Sequence, residues 1–196
     1  MDPATSSGGR SEALVMLDNK KLAQNVFRAA VNAVKAENTF LRGHCEADGY
    51  HGIGLVSEPV LTHLVFRSLI TRGMYDARLA QPYPGNPQFV ADLVVVENQV
   101  WVGCLHAKWL ATNAKVGSAK DDMDRMRAKL PPQIAKLLLA FWVKEPSRAN
   151  SVDRWIEELA EVSGTPAAWT ETFNALSSGG GAVADVPAGV TLYEVV

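Results

Sequence analysis

The chain reads as an α/β or α+β domain: a mixed central sheet of three to five strands flanked by helices. Three observations predict it. Apolar residues recur at helical spacing in the N-terminal part and again around residues 119–130. Two apolar strand-like runs, 89–96 and 100–108, stand either side of the short polar break Glu97-Asn98-Gln99. A third apolar run, Ile134 to Val143, follows a helical segment, the order that makes a parallel crossover.

Length and composition set the limits within which these elements are read. With 196 residues, of which 47% are hydrophobic and 20% charged, the chain is long enough to bury a sizeable core and shows no sign of wholesale disorder. A net charge of -2 gives no overall attraction to nucleic acid, so any such surface is a local basic patch. Two cysteines, Cys45 and Cys104, with Cys104 inside a strand, read as reduced thiols of a cytoplasmic protein. The longest apolar run, Leu137 to Val143, is far below the ~20 residues a helix needs to span a bilayer, so no membrane partner is expected.

In chain order, residues 1–12, beginning MDPATSSGGRS, carry an early acid and no apolar core of a secretion signal, and read as a flexible tail. Leu22, Val26, Ala29, Ala30, Ala33 and Val34 then mark an amphipathic helix from about Asp18 to Ala36. The polar, glycine-bearing stretch Leu41 to Gly54 reads as a loop. Ser57 as N-cap and Pro59 in the first turn open a second helix, with Leu61, Leu64, Val65 and Leu69 on one stripe and Gly73 as its stop. This puts Glu58 in a helical first turn.

The PYPGNP core makes a connection of Arg78 to Gln88. The two strands follow, then a polar stretch at 112–118 and a helix to Leu130, ended by Pro131-Pro132. The run 134–143 is apolar on both faces, as an interior strand requires. Ser151 caps a helix to Val162, and Thr165 with Pro166 opens another to about Leu176. These elements make residues 13–176 one domain. Residues 177–196 are a joint, SSGGG, and an edge strand or tail, GVTLYEVV.

The two strands carry the chemistry. A loop of three residues pairs Val96 with Val100 and Asp92 with Cys104, so that Asp92, Val94, His106 and Lys108 share a face. A two-residue turn at Asn98-Gln99 would move His106 and Lys108 to the opposite face from Asp92, and the absence of glycine argues against it. On the shared face Asp92 lies diagonal to His106, near enough for both to reach one ion or water.

Helix with Glu58, strand with Asp92, strand ending His106-Ala107-Lys108, helix, strand: over about Ser57 to Val143 this order resembles the PD-(D/E)xK phosphodiesterase superfamily, with its restriction-endonuclease-like core. The resemblance implies a nuclease-like domain that hydrolyses DNA phosphodiesters with Mg2+ or Mn2+, or a degenerate, non-cutting relative. It makes Glu58, Asp92, His106 and Lys108 the catalytic set. Asp92, Glu58 and His106 would hold the metal, and Lys108 would orient the attacking water or stabilise charge on the phosphate. The departure is His106, which stands where the family has a carboxylate. A neutral nitrogen removes one negative charge and disfavours magnesium, while suiting manganese, iron or zinc.

Each of these residues also has a plain structural reading. Asp92 can cap a strand end, His106 can be a bonded core histidine, Lys108 can lay its stem on Trp109, and Glu58 can favour its helix dipole. The alternative function is accordingly a non-catalytic interaction or structural module, with residues 151–176 and exposed Trp155 and Trp169 serving a protein partner or a homo-oligomer. His44, Cys45 and His51 are a possible zinc set, but their adjacency departs from the usual ligand spacings. Lys115, Lys120, Arg125, Arg127, Lys129 and Lys136 could meet a DNA backbone, and the interspersed Asp121, Asp122 and Asp124 equally make them an ion-paired helix surface.

Overall fold

A computed structural model of the chain describes residues 9–48, 52–71, 73, 75–145, 149–166, 169–177 and 184–196. Among these residues the fold is α+β, with four α-helices and one six-stranded mixed sheet. The elements are α1 (Gly9–Asp48), α2 (Glu58–Thr71), β1 (Asp76–Tyr83), β2 (Asn86–Glu97), β3 (Val100–Trp109), α3 (Asn113–Lys129), β4 (Ala135–Val143), α4 (Ala149–Ser163), β5 (Trp169–Ser177) and β6 (Ala184–Glu194). Most of the expected tail falls on residues 1–8, outside those described. Its last four positions belong to α1.

The strands lie in the order β1-β2-β3-β4-β6-β5. β1, β2 and β3 form an antiparallel meander, β4 runs parallel to β3 after the α3 crossover, and β6 is antiparallel to both β4 and β5. The β3-α3-β4 crossover is the one expected. Helices α1 and α2 cover one face, where Leu22, Val26, Leu61, Val65 and Leu69 meet Leu93, Leu105, Leu137 and Leu139. Helices α3 and α4 cover the other, where Met123, Met126, Trp155 and Leu159 meet Val94, Cys104, Leu138 and Tyr193. Two cores on the two sides of one sheet account for the near-continuous apolar run of β4.

Two glycines permit close approach. A Cβ at Gly103 would meet Leu22 Cδ2 at 2.8 Å, which lets α1 lie close on β3. At Gly189 a Cβ would stand 2.2 Å from the Trp142 ring and 2.7 Å from the Glu171 carbonyl. Trp142 lies across that gap and donates from Nε1 to Thr191 Oγ1 at 3.1 Å.

Several expectations need correction. The sheet has six strands, not three to five, because the read connection at 78–88 holds β1 and the start of β2 around the turn Pro84-Gly85, with Pro82 tolerated on an edge strand. The helix expected at 165–176 is β5: its inward residues Trp169, Phe173 and Ala175 alternate with exposed Thr170, Thr172 and Asn174, a period of two that outweighs the Thr-Pro start signal. The final strand is no edge or tail, since β6 pairs on both sides. The stretch expected as a loop from Leu41 is helical as far as Asp48, where α1 ends. Trp155 is buried and donates to Asn113 Oδ1, and Trp169 is partly buried and stacks on Phe27, so neither is the exposed aromatic expected of it. No helix among the described residues is long and apolar enough to cross a membrane.

Candidate functional site

The relation between Asp92 and the His106/Lys108 pair depends on how β2 meets β3. The hairpin closes on Asn98-Gln99, both with positive φ (49° and 66°), as in a type I′ turn, and Glu97 faces Val100. This is the two-residue turn that the lack of glycine argued against. Asn tolerates the left-handed region, and Gln99 Oε1 accepts from Arg78 Nη2 at 2.9 Å. Left uncorrected, that turn would oppose Asp92 to Leu105. A bulge intervenes: Val96 faces Trp101 but Val95 faces Gly103, so Val102 is extra and the parity reverses. Leu93 then faces Leu105, and the same register carries Asp92 opposite His106. The shared face of Asp92, Val94, His106 and Lys108 is therefore present, through a different turn from the one expected.

Beyond Leu93 the β2-β3 ladder gives way to side-chain contact. The Ala107 amide donates to Asp92 Oδ2 at 2.8 Å, so the carboxylate takes the place of a strand carbonyl. His106 is buried (3% exposed), with Nε2 2.8 Å from the Tyr83 hydroxyl and Nδ1 3.4 Å from Asp92 Oδ2. A phenol donating to Nε2 leaves the imidazole proton on Nδ1 facing Asp92, the assignment that satisfies both contacts. Lys108 is also buried (8% exposed), its Nζ 2.6 Å from Asp122 Oδ2 and 3.9 Å from Glu58 Oε1. Glu58 arrives from α2, on the other face of the sheet. Its Oε2 accepts from the Trp109 amide at 2.9 Å and lies 3.5 Å from Lys115 Nζ. All four residues singled out in the sequence thus gather at the end of β3.

Asp122 is the member that sequence reasoning missed. It is 5% exposed, is bonded on Oδ1 by Arg125 Nη1 at 2.6 Å, and turns Oδ2 toward Lys108 and His106. Its signal was spacing: Val116, Ala119, Met123 and Met126 are the buried stripe of α3, and Asp122 falls inside it. A charged residue inside an apolar stripe needs a partner from the sheet. The reading of Asp121, Asp122 and Asp124 as one solvated surface is corrected for Asp122.

The charges here are closely matched. Glu58, Asp92 and Asp122 supply three carboxylates, and Lys108, Arg125 and Lys115 three cations within 4 Å of one or another of them, apart from Asp92, whose neighbour is the imidazole. Burial pushes the Asp92 carboxyl upward, but bonds from His106 and the Ala107 amide, with the pull of His106 and Lys108, hold it below its ordinary 3.8. Burial likewise opposes charge on Lys108, yet Asp122 first and then Glu58 and Asp92 outweigh it and hold the ammonium above its ordinary 10.5. Burial, then Cys104 and Asp122, push the Tyr83 phenol far up, so it stays protonated. Burial also lifts the neighbouring Cys104 thiol to about 12, which makes it inert as a nucleophile.

The residues that the resemblance assigns to a metal do not fit one as they are arranged. Asp92 Oδ2 accepts a backbone amide and faces an imidazole, whose Nε2 is engaged by Tyr83. Glu58 gives one oxygen to the Trp109 amide and turns the other to an ammonium. Among the described residues no three His, Cys, Asp or Glu side chains form a group able to hold a metal ion. The possible zinc set His44, Cys45 and His51 lies outside the described side chains.

The basic residues after the site are largely engaged. Lys120 pairs with Glu158, Arg125 with Asp122 and Arg127 with Asp124, while Arg127 also donates to the Val162 and Val196 carbonyls. Comparison with models of protein families, with curated proteins and with solved structures finds no match to the chain.

Proposed function

We propose that the chain is a nuclease-like domain of the PD-(D/E)xK type that does not cut, a degenerate relative serving as a binding or structural module. The order of elements supports the kinship: α2 with Glu58, β2 with Asp92, β3 with His106 and Lys108, then α3 and a parallel β4. The observation that carries the non-cutting reading is Lys108. A lysine that positions water or stabilises a phosphate must present its ammonium to the substrate, whereas this one is buried 2.6 Å from Asp122. His106, in place of the family's carboxylate, is fixed between Tyr83 and Asp92.

One observation favours the alternative of a metal-dependent phosphodiesterase acting on DNA. The Asp92 side chain keeps 35% exposure and a carboxylate held in its charged form, as a cation ligand would. Incubation with supercoiled plasmid and Mg2+ or Mn2+ separates the two. The expected result is no nicking by the wild type with either ion, and none by His106→Glu, in which Lys108 stays buried against Asp122. Wild-type nicking that disappears in Lys108→Ala overturns the non-cutting reading.

A further inference from the structure

We infer that the Lys108 ammonium, held between Asp122 and Glu58, is the resident counter-cation of this site and takes the place of a divalent ion there. The inference deepens the non-cutting reading and rests on it. Two carboxylates from two elements, Asp122 of α3 at 2.6 Å and Glu58 of α2 at 3.9 Å, flank this one ammonium, and Asp92 of β2 adds its charge from farther off. Asp122 Oδ2 is buried without a hydrogen-bond partner and has its charge met by Lys108 at 2.6 Å, so the lysine answers the most deeply desolvated anion of the set. Because Lys108 is itself buried, it cannot swing into water to make way for an ion. A divalent cation entering here would meet a fixed positive charge on the side from which its ligands must come. The lysine also does what a metal does for a fold, since it ties α2 and α3 to the end of β3 through opposite charge.

On this account the protein needs no metal at the site, and the acidic set would accept one once the ammonium is gone. Hard oxygen donors of this kind suit Mn2+ and Mg2+, which keep several of their waters and use one or two carboxylates. The test is Mn2+ binding by electron paramagnetic resonance of the free ion and by titration calorimetry, on wild type, Lys108→Met and Lys108→Met/Asp122→Asn. Wild type is expected to show no saturable uptake at millimolar Mn2+. Lys108→Met should gain affinity by roughly a hundredfold or more, and the double variant should lose the gain.

Lys115→Met removes an exposed cation from the same Glu58 and should gain nothing. If Lys108→Met unfolds in chelator, recovery of its far-ultraviolet circular dichroism on adding Mn2+ is the same gain, read as folding. Saturable uptake by wild type, or no uptake by Lys108→Met in either assay, overturns the inference. Plasmid cleavage by wild type overturns the non-cutting reading instead. A Lys108→Met protein that takes no ion, beside a wild type that does not cut, refutes the counter-cation role alone.

Discussion

Removing the Asp122 carboxylate leaves Lys108 and Arg125 facing each other with no anion between them, one of them deep in the fold. Stranding a buried charge in this way typically costs ~3–5 kcal/mol, so Asp122→Asn should lower the unfolding free energy read from urea titration by that amount. Lys108→Met/Asp122→Leu removes both charges and should recover most of the loss. Lys115→Ala, at an exposed pair, should change stability by no more than about 1 kcal/mol.

The titration directions have opposite signs. Asp92 sits below its ordinary 3.8, so its contribution is complete above that value and fades as pH falls through the lower folded one. Lys108 sits above 10.5, so its contribution is complete below that value and fades as pH rises through the higher folded one. Stability measured against pH should therefore lose part of its acid limb in Asp92→Asn and part of its alkaline limb in Lys108→Met, with both flat near neutrality.

Within the β2-β3 hairpin, parity is set by two features acting against each other. The Asn98-Gln99 turn alone would send His106 and Lys108 away from Asp92, and the bulge at Val102 brings them back. Deleting Val102 should therefore turn an imidazole and an ammonium into the α1-α2 core and abolish cooperative unfolding by circular dichroism. Gln99→Gly relieves a side chain held at φ 66° and should stabilise by about 1 kcal/mol, less whatever the Arg78 bond contributes. Helix α3 shows how one position is misread: by composition its polar face runs through 121, 122 and 124, but by spacing 122 belongs to the stripe that Met123 and Met126 define.

The sheet as a whole is completed from the end of the chain. β6 lies between β4 and β5, with Val190 and Leu192 in one core and Tyr193 in the other. Ending the chain at Ser177 would expose the whole β4 edge and both cores, so that fragment should give no cooperative melt. Gly189→Ala tests the same region more finely. Because a methyl there cannot coexist with the Trp142 ring and the Glu171 carbonyl, it should cost several kcal/mol, of order ~3, in a urea titration.

Much of this was legible in the residues themselves. Period and punctuation marked α2, the hairpin, α4 and the parallel β4, because the spacing of apolar side chains reports directly which face of a local element is buried. The shared face of His106 and Lys108 followed from the same alternation, whereas Asp92 joins them only because the bulge at Val102 offsets the two-residue turn. Local pattern gave no access to the partners of charged groups or to the neighbours of strands. That Asp122 reaches Lys108 from across a crossover, that Glu58 rounds the sheet to the Trp109 amide, and that β6 lies inside the sheet depend on contacts between residues far apart in the chain. Those contacts form only when the two cores close around the sheet, where a low-dielectric interior requires each buried charge to have its opposite beside it.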